Sequence, residues 1–131
     1  MSKRILLIED DTDARLLFKN VLTGEGYSVD AFSEGNTFIN VDPTVPDLFI
    51  FDNSIPTIDG IALTKYLKIR KQTRHVPVLI MSANQDISAK ARKAGASAFI
   101  AKPFEVDTFL TTVGQLLSVH EEIGEKSRTV L

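Results

Sequence analysis

Five short apolar runs, each separated from the next by a longer amphipathic or turn-rich segment, decide what this chain can become. They are Arg4–Ile8, Tyr27–Phe32, Leu48–Phe51, Val76–Met81 and Ala98–Ala101. All have strand length, and most are rich in aliphatic, β-branched or aromatic residues. The central run, Leu48-Phe49-Ile50-Phe51, carries no polar residue on either side of the pleat, so it reads as a strand covered on both faces. Pro77 is compatible with the fourth run only near its start. Between the runs the period changes to that of a helix. Ala14, Leu17, Phe18, Val21 and Leu22 form one stripe, which Asp11 or Thr12 can cap and Gly24 or Gly26 can end. Ser33–Asn40 is weakly helical, with Gly35 and Asn36 working against it, and Asp42-Pro43 to Pro46 is a loop. Ile61–Lys71 is helical through Leu63, Tyr66, Leu67 and Arg70, with Asp59 as its N-cap. Asp86–Ala94 is an Ala-rich helix closed by Gly95. Val106, Phe109, Leu110, Val113 and Leu117 mark the last one. Strands alternating with helices predict an α/β fold, a single-domain doubly wound five-stranded parallel sheet with helices on both faces.

Composition narrows the function classes. At 131 residues the chain is one domain, able to bury a core without metal or disulfide staples. Fifteen Lys and Arg against 17 Asp and Glu give a net charge of −2, with no overall basic footprint for nucleic acid. Cysteine is absent, which removes thiolate and disulfide chemistry and fits a reducing cytoplasm. No apolar run approaches a membrane span, and Ile5–Ile8 is too short for a signal peptide. His75 and His120 have no acidic or Cys partners at ligand spacing and read as surface residues. Gly24-Glu25-Gly26 ends a helix instead of opening one, so it is not a dinucleotide loop. Residues 121–131 are polar and charged except at the tip; they continue the last helix or begin a linker.

The chemistry appears when the strand ends are aligned. The first strand ends in Glu9-Asp10, the third in Asp52, the fourth in Ser82 and the fifth in Lys102. In a parallel sheet these ends share one edge, where ligands bind in open α/β folds. Crowded carboxylates repel unless a cation joins them, and a hard divalent ion with oxygen ligands fits best. A carboxylate, a metal, a hydroxyl and an ammonium are the parts for phosphoryl transfer, with Asp as the nucleophile.

Taken in order, Ile8-Glu9-Asp10, Asp52-x-x-x-Pro56-x-x-Asp59-Gly60, Met81-Ser82-Ala83 and Gly95-Ala96 through Phe99 to Lys102-Pro103-Phe104 resemble the motifs of a known family. The sequence is similar to the receiver domains of bacterial two-component response regulators over about Lys3 to Leu117. That resemblance implies a flavodoxin-like strand order of 2-1-3-4-5, a receiver unit over residues 1–120 and a tail over 121–131. It implies Asp52 as phosphoacceptor, with Mg²⁺ held by Asp10 directly, by Glu9 through water, by Asp52 and by the main-chain carbonyl of Ser54. Glu9 and Asp10 are preferred to Asp10 and Asp11 because Arg15 stands at the family's usual distance from the second acid. Lys102 would contact the phosphoryl oxygens, Ser82 would hydrogen-bond the phosphoryl group, and Phe99 would turn inward with Ser82 as the switch aromatic. The Lys102-Pro103 bond would be cis.

The implied function is a cytoplasmic phosphorelay switch. A histidine kinase or histidine phosphotransfer protein would donate the phosphoryl group. A protein target or a second copy would then engage the face of the fourth helix, fifth strand and fifth helix, without direct contact to nucleic acid or membrane. Such a domain is not an enzyme beyond catalysing its own phosphorylation and dephosphorylation. A pseudo-receiver acting only as a binding module is the first rival, weakened by the intact Asp52, acidic pair and Lys102. An Asp-nucleophile phosphatase is the second, weakened because its Asp-x-Asp belongs on the first strand and Asp52 is followed by Asn53-Ser54. Ile55 for the frequent Met and Ser82 for the frequent Thr are the departures from the family pattern. Both keep the chemistry, while Asn53, Ser54 and Asn84 would tune the lifetime of the phosphorylated state.

Overall fold

The computed structural model describes residues 2–34, 45–53 and 59–130, with residues 119–130 described by backbone alone. In chain order the elements are β1 (Arg4–Ile8), α1 (Thr12–Gly24), β2 (Ser28–Phe32), β3 (Leu48–Asp52) and α2 (Gly60–Ile69). They continue with β4 (Val78–Ser82), a 3-10 turn (Gln85–Ile87), α3 (Ser88–Ala94), β5 (Ala98–Ala101) and α4 (Val106–Val130). The strands form one sheet in the order β2-β1-β3-β4-β5. Every pairing is parallel, with Ile8 opposite Phe32 and Phe51, and Asp52 opposite Met81. This is the doubly wound, flavodoxin-like sheet that the alternation and the resemblance led one to expect. The expected weak helix at Ser33–Asn40 and the loop from Asp42 fall mostly outside the described residues.

Two cores flank the sheet because β1, β3 and β4 are buried on both faces. Ile5, Leu7, Leu48, Ile50, Leu79 and Met81 pack with Leu22 of α1 and with Phe109, Val113 and Leu117 of α4. Leu6, Ile8, Phe49, Phe51, Val78 and Ile80 pack with Leu63 and Leu67 of α2 and Ala91 of α3. Each strand therefore sends alternate side chains to opposite helix layers. Among the described residues no helix is long and apolar enough to cross a membrane.

Element boundaries differ from expectation where a local bond decides them. The β4 ladder starts at Val78, because Pro77 has no N–H to give and contributes only its carbonyl, to Phe49 N–H at 3.1 Å. Tyr27 is not in β2, since its N–H donates back to the Leu22 carbonyl at 3.3 Å and closes α1. Helix α2 stops at Ile69, where the Thr73 hydroxyl takes the Leu67 carbonyl at 2.6 Å and Arg70 turns extended. Leu17 is 55% exposed, so the buried stripe of α1 is narrower than the periodicity suggests. It centres on Phe18, Val21 and Leu22, and Leu17 falls at its margin. Asp11 is the cap of α1 and Asp59 that of α2, each accepting the N–H three residues on. Gly95 closes α3 at φ 110°, a left-handed position suited to glycine.

Candidate functional site

Parallel pairing brings the carboxyl ends of β1, β3, β4 and β5 to one edge, and three of the expected side chains meet there. The Lys102 ammonium donates to Asp52 Oδ2 at 2.5 Å and lies 3.6 Å from Glu9 Oε1. Glu9 and Asp52 are fully buried, and the Lys102 side chain keeps 24% of its exposure. The backbone fixes this meeting. Asn53 N–H donates to the Met81 carbonyl at 2.7 Å, and Lys102 N–H donates to the Ser82 carbonyl at 2.9 Å. Each loop thus leaves the sheet still tied to its neighbouring strand. The Lys102-Pro103 bond is cis.

Two buried acids around one ammonium leave an excess of negative charge. Glu9 Oε2 accepts the Asp11 N–H at 3.3 Å, whereas no donor completes a hydrogen bond to the buried Oε1. Burial first, then the hydrogen bond to Asp52 and its charge, push the Glu9 carboxyl up to about 7. Lys102 and the Asp11 N–H pull the other way and only partly offset this. An orphaned buried carboxylate oxygen beside a second carboxylate is a hard, oxygen-rich donor set that fits a divalent cation such as Mg²⁺. Among the described residues no three His, Cys, Asp or Glu side chains form a metal cluster by themselves.

The other expected residues are arranged around this centre. Asp10 is half-buried where β1 leaves the sheet, and Asp11 is exposed and occupied with capping α1. Ser82 is buried at the end of β4, its hydroxyl oxygen accepting Asn84 N–H at 3.0 Å. Phe99 is half-buried on β5 and packs against the α2–α3 core. Ser54 lies outside the described residues. Phe18 of α1 places its ring 6.0 Å from the Lys102 ammonium and stacks on Phe104, giving the cation an aromatic wall.

Two residues have roles that the sequence reading did not give them. Arg15 Nη1 donates to the carbonyls of Glu9 at 2.8 Å and Asp10 at 3.4 Å. It therefore pins the backbone of both acids from the first turns of α1. Asn53 Oδ1 accepts Gly60 N–H at 2.5 Å, drawing the start of α2 onto the end of β3. A Cβ on Gly60 would lie 3.0 Å from that oxygen and 3.2 Å from Phe51 Cβ, so glycine permits the approach. Spacing identified Arg15 only as a marker for the register of the acids. A guanidinium reaching carbonyls on the preceding strand end leaves no periodic signal.

Known proteins resemble this chain in sequence and in fold. The DNA-binding transcriptional regulator NtrC of Klebsiella pneumoniae is 34% identical over 119 residues, which are 88% of this chain and 25% of that protein. The chain thus spans a quarter of NtrC's length. The polar-differentiation response regulator DivK of Brucella ovis is 28% identical over 120 residues, 89% of this chain and 98% of DivK. In fold, the chain superposes with a TM-score of 0.79 on the receiver domain of the sensor histidine kinase PA1611 from Pseudomonas aeruginosa. That domain was crystallised with a magnesium ion coordinated in its active site cleft; it is 23% identical, with 90% of this chain and 99% of that one covered. The family model of the response regulator receiver domain matches residues 5–114. With the 2-1-3-4-5 sheet and with Asp52, Glu9 and Lys102 gathered at one edge, that match makes the chain a member of the response regulator receiver domains, the signal-transduction modules of two-component systems.

Proposed function

We propose that this chain is a phosphorylation-operated switch of a cytoplasmic phosphorelay, with a receiver unit over residues 1–120. An Asp52 oxygen attacks the phosphorus of a partner's phosphohistidine, carried by a histidine kinase or phosphotransfer protein. The O–P bond forms as the P–N bond breaks, and the imidazole leaves with the electron pair. The observation that carries this reading is the Lys102 ammonium seated on Asp52 beside the orphaned Glu9 oxygen. Glu9, Asp10, Asp52 and the Ser54 carbonyl would hold Mg²⁺. When bound, it supplies positive charge to the phosphoryl oxygens and to the crowded acids.

The rest of the site then has a division of labour. Lys102, released from Asp52 as that carboxylate becomes an acyl phosphate, follows the new charge onto the phosphoryl oxygens. The Ser82 hydroxyl, now an acceptor for Asn84 N–H, donates to the phosphoryl group. Phe99 follows Ser82, and the face of α3, β5 and α4 changes for a protein target or a second copy. The domain turns over no other substrate.

Intact-mass spectrometry after incubation with acetyl phosphate tests the chemistry, with and without Mg²⁺ and with Asp52→Asn alongside. One added phosphoryl group, dependent on Mg²⁺ and absent in Asp52→Asn, is the expected result. A chain that gains no adduct and whose amide spectrum ignores beryllofluoride with Mg²⁺ would be a binding module without receiver chemistry.

A further inference from the structure

The fold divides the chain's charge. Between Gly60 and Ser97, eight Lys and Arg stand against one acid, Asp86, in a chain whose net charge is −2. The eight are Lys65, Lys68, Arg70, Lys71, Arg74, Lys90, Arg92 and Lys93, and all but the half-buried Lys68 are exposed. None of them is ion-paired to another described residue. They belong to α2, α3 and the turn after α2, and these two helices pack side by side. Arg70, Lys71 and Arg74 precede β4, and Arg92 and Lys93 precede β5, so these five gather at the amino ends of the strands. Asp52, Ser82 and Lys102 occupy the other end, roughly 16 Å away along a strand rising about 3.3 Å per residue.

The Lys68 side chain ties the two parts of this basic end together. The Lys68 ammonium donates to the carbonyls of Val76 at 2.7 Å and Arg74 at 3.2 Å. Its stem lies against the cap of α3, where a Cβ on Gly95 would come within 2.7 Å of Lys68 Cγ. The turn at 70–76 and the end of α3 are therefore fixed relative to each other, and their cations present a preformed surface. In the same place Ile69 is 82% exposed, the most exposed large apolar residue described.

We propose that this end of α2 and α3 docks a short acidic protein segment that carries an aliphatic side chain. Unpaired cations that repel one another are relieved by carboxylates, which supplies the charge complementarity. Ile69, next to Arg70 at the end of α2, offers an apolar anchor of the kind found inside protein interfaces. Nucleic acid fits less well. The other 16 acids lie outside this stretch, so a long polyanion leaving the patch meets negative charge. A phosphate backbone has no use for Ile69, and the stretch has one aromatic, Tyr66, whose hydroxyl accepts from Arg70 at 2.7 Å. The patch is remote from Asp52, so a segment docked there leaves the phosphoacceptor edge open to its donor.

Amide spectra of the labelled chain, titrated with a Glu-rich dodecapeptide containing one central Leu, test this. Shifts confined to residues 68–75 and 90–95 are expected. Lys71→Glu, Arg74→Glu and Arg92→Glu together should weaken binding about tenfold or more, and Ile69→Ser should weaken it by a smaller factor. The charge reversals touch no internal ion pair, so the melting temperature and the labelling of Asp52 by acetyl phosphate should remain as in the parent. Absence of shifts in those segments overturns the proposal, as does peptide binding indifferent to the reversals. Tighter binding of a duplex DNA oligonucleotide or of phosphatidylserine vesicles than of the peptide also overturns it.

Discussion

Lys102 and Arg15 carry the same charge to the same edge of the sheet and use it differently. Lys102 meets carboxylates, at Asp52 and Glu9, and its ammonium neutralises the buried charge directly. Arg15 meets carbonyls, those of Glu9 and Asp10, and so acts on where the acids stand and not on how charged they are. Removing such a support loosens a metal site without touching a ligand, typically by about 10- to 100-fold in affinity. Arg15→Ala is therefore expected to weaken Mg²⁺ binding by about tenfold in a calorimetric titration, with Arg15→Lys recovering part of the loss. A purely structural Arg15 would lower the melting temperature in EDTA and leave Mg²⁺ affinity alone, and that outcome would sink the positioning role.

Helices α2 and α3 depend on their ends. Asp59 accepts the Ala62 N–H at 3.0 Å, so Asp59→Ala should cost about 1 kcal/mol in urea unfolding. Gly95→Ala should cost more. It sets a side chain at φ 110° and drives a methyl to 2.7 Å from Lys68 Cγ, which must give up its place under α3. A loss for Gly95→Ala no larger than that for Asp59→Ala would mean that Lys68 moves aside freely. These caps were legible in the sequence because capping is local: Asp59 and Gly95 sit beside the pattern they end. The strand cores were legible for the same reason, and the sheet edge followed from them, since parallel strands must collect Glu9, Asp52, Ser82 and Lys102 at one side. What resisted reading is set by tertiary approach. Tyr27 leaves β2 to close α1, Leu17 falls outside the stripe that the sheet covers, and Arg15 and Asn53 act on backbone atoms of other segments.

For the whole molecule the buried acid at Glu9 links folding to protons and, on the function proposed above, to the metal. Its carboxyl is pushed up from 4.5 to about 7 in the folded chain, so between those values the native state holds the proton more tightly than the unfolded one. Where the native state binds more protons, stability falls as pH rises. Glu9 thus favours the fold below pH 4.5, and that contribution is lost by the time pH passes about 7. Over the full window the change is at most about 3 kcal/mol by linkage, reduced by whatever Lys102 does in response. On the proposed function a divalent cation would compete with the same proton. Mg²⁺ should bind more tightly as pH rises through 7, and the stability it adds should be largest where the metal-free chain has lost most. Urea unfolding followed by circular dichroism, in EDTA and in Mg²⁺ from pH 5.5 to 8.5, measures both effects. The two curves are expected to lie close together at the acid end and to separate above pH 7. Glu9→Gln, which is neutral throughout, should flatten the EDTA curve and shrink the Mg²⁺ gain at alkaline pH. Should Glu9→Gln keep the parent's slope and its full Mg²⁺ gain, the proton and the metal are bound elsewhere, and the orphaned oxygen of Glu9 is not what the cation answers.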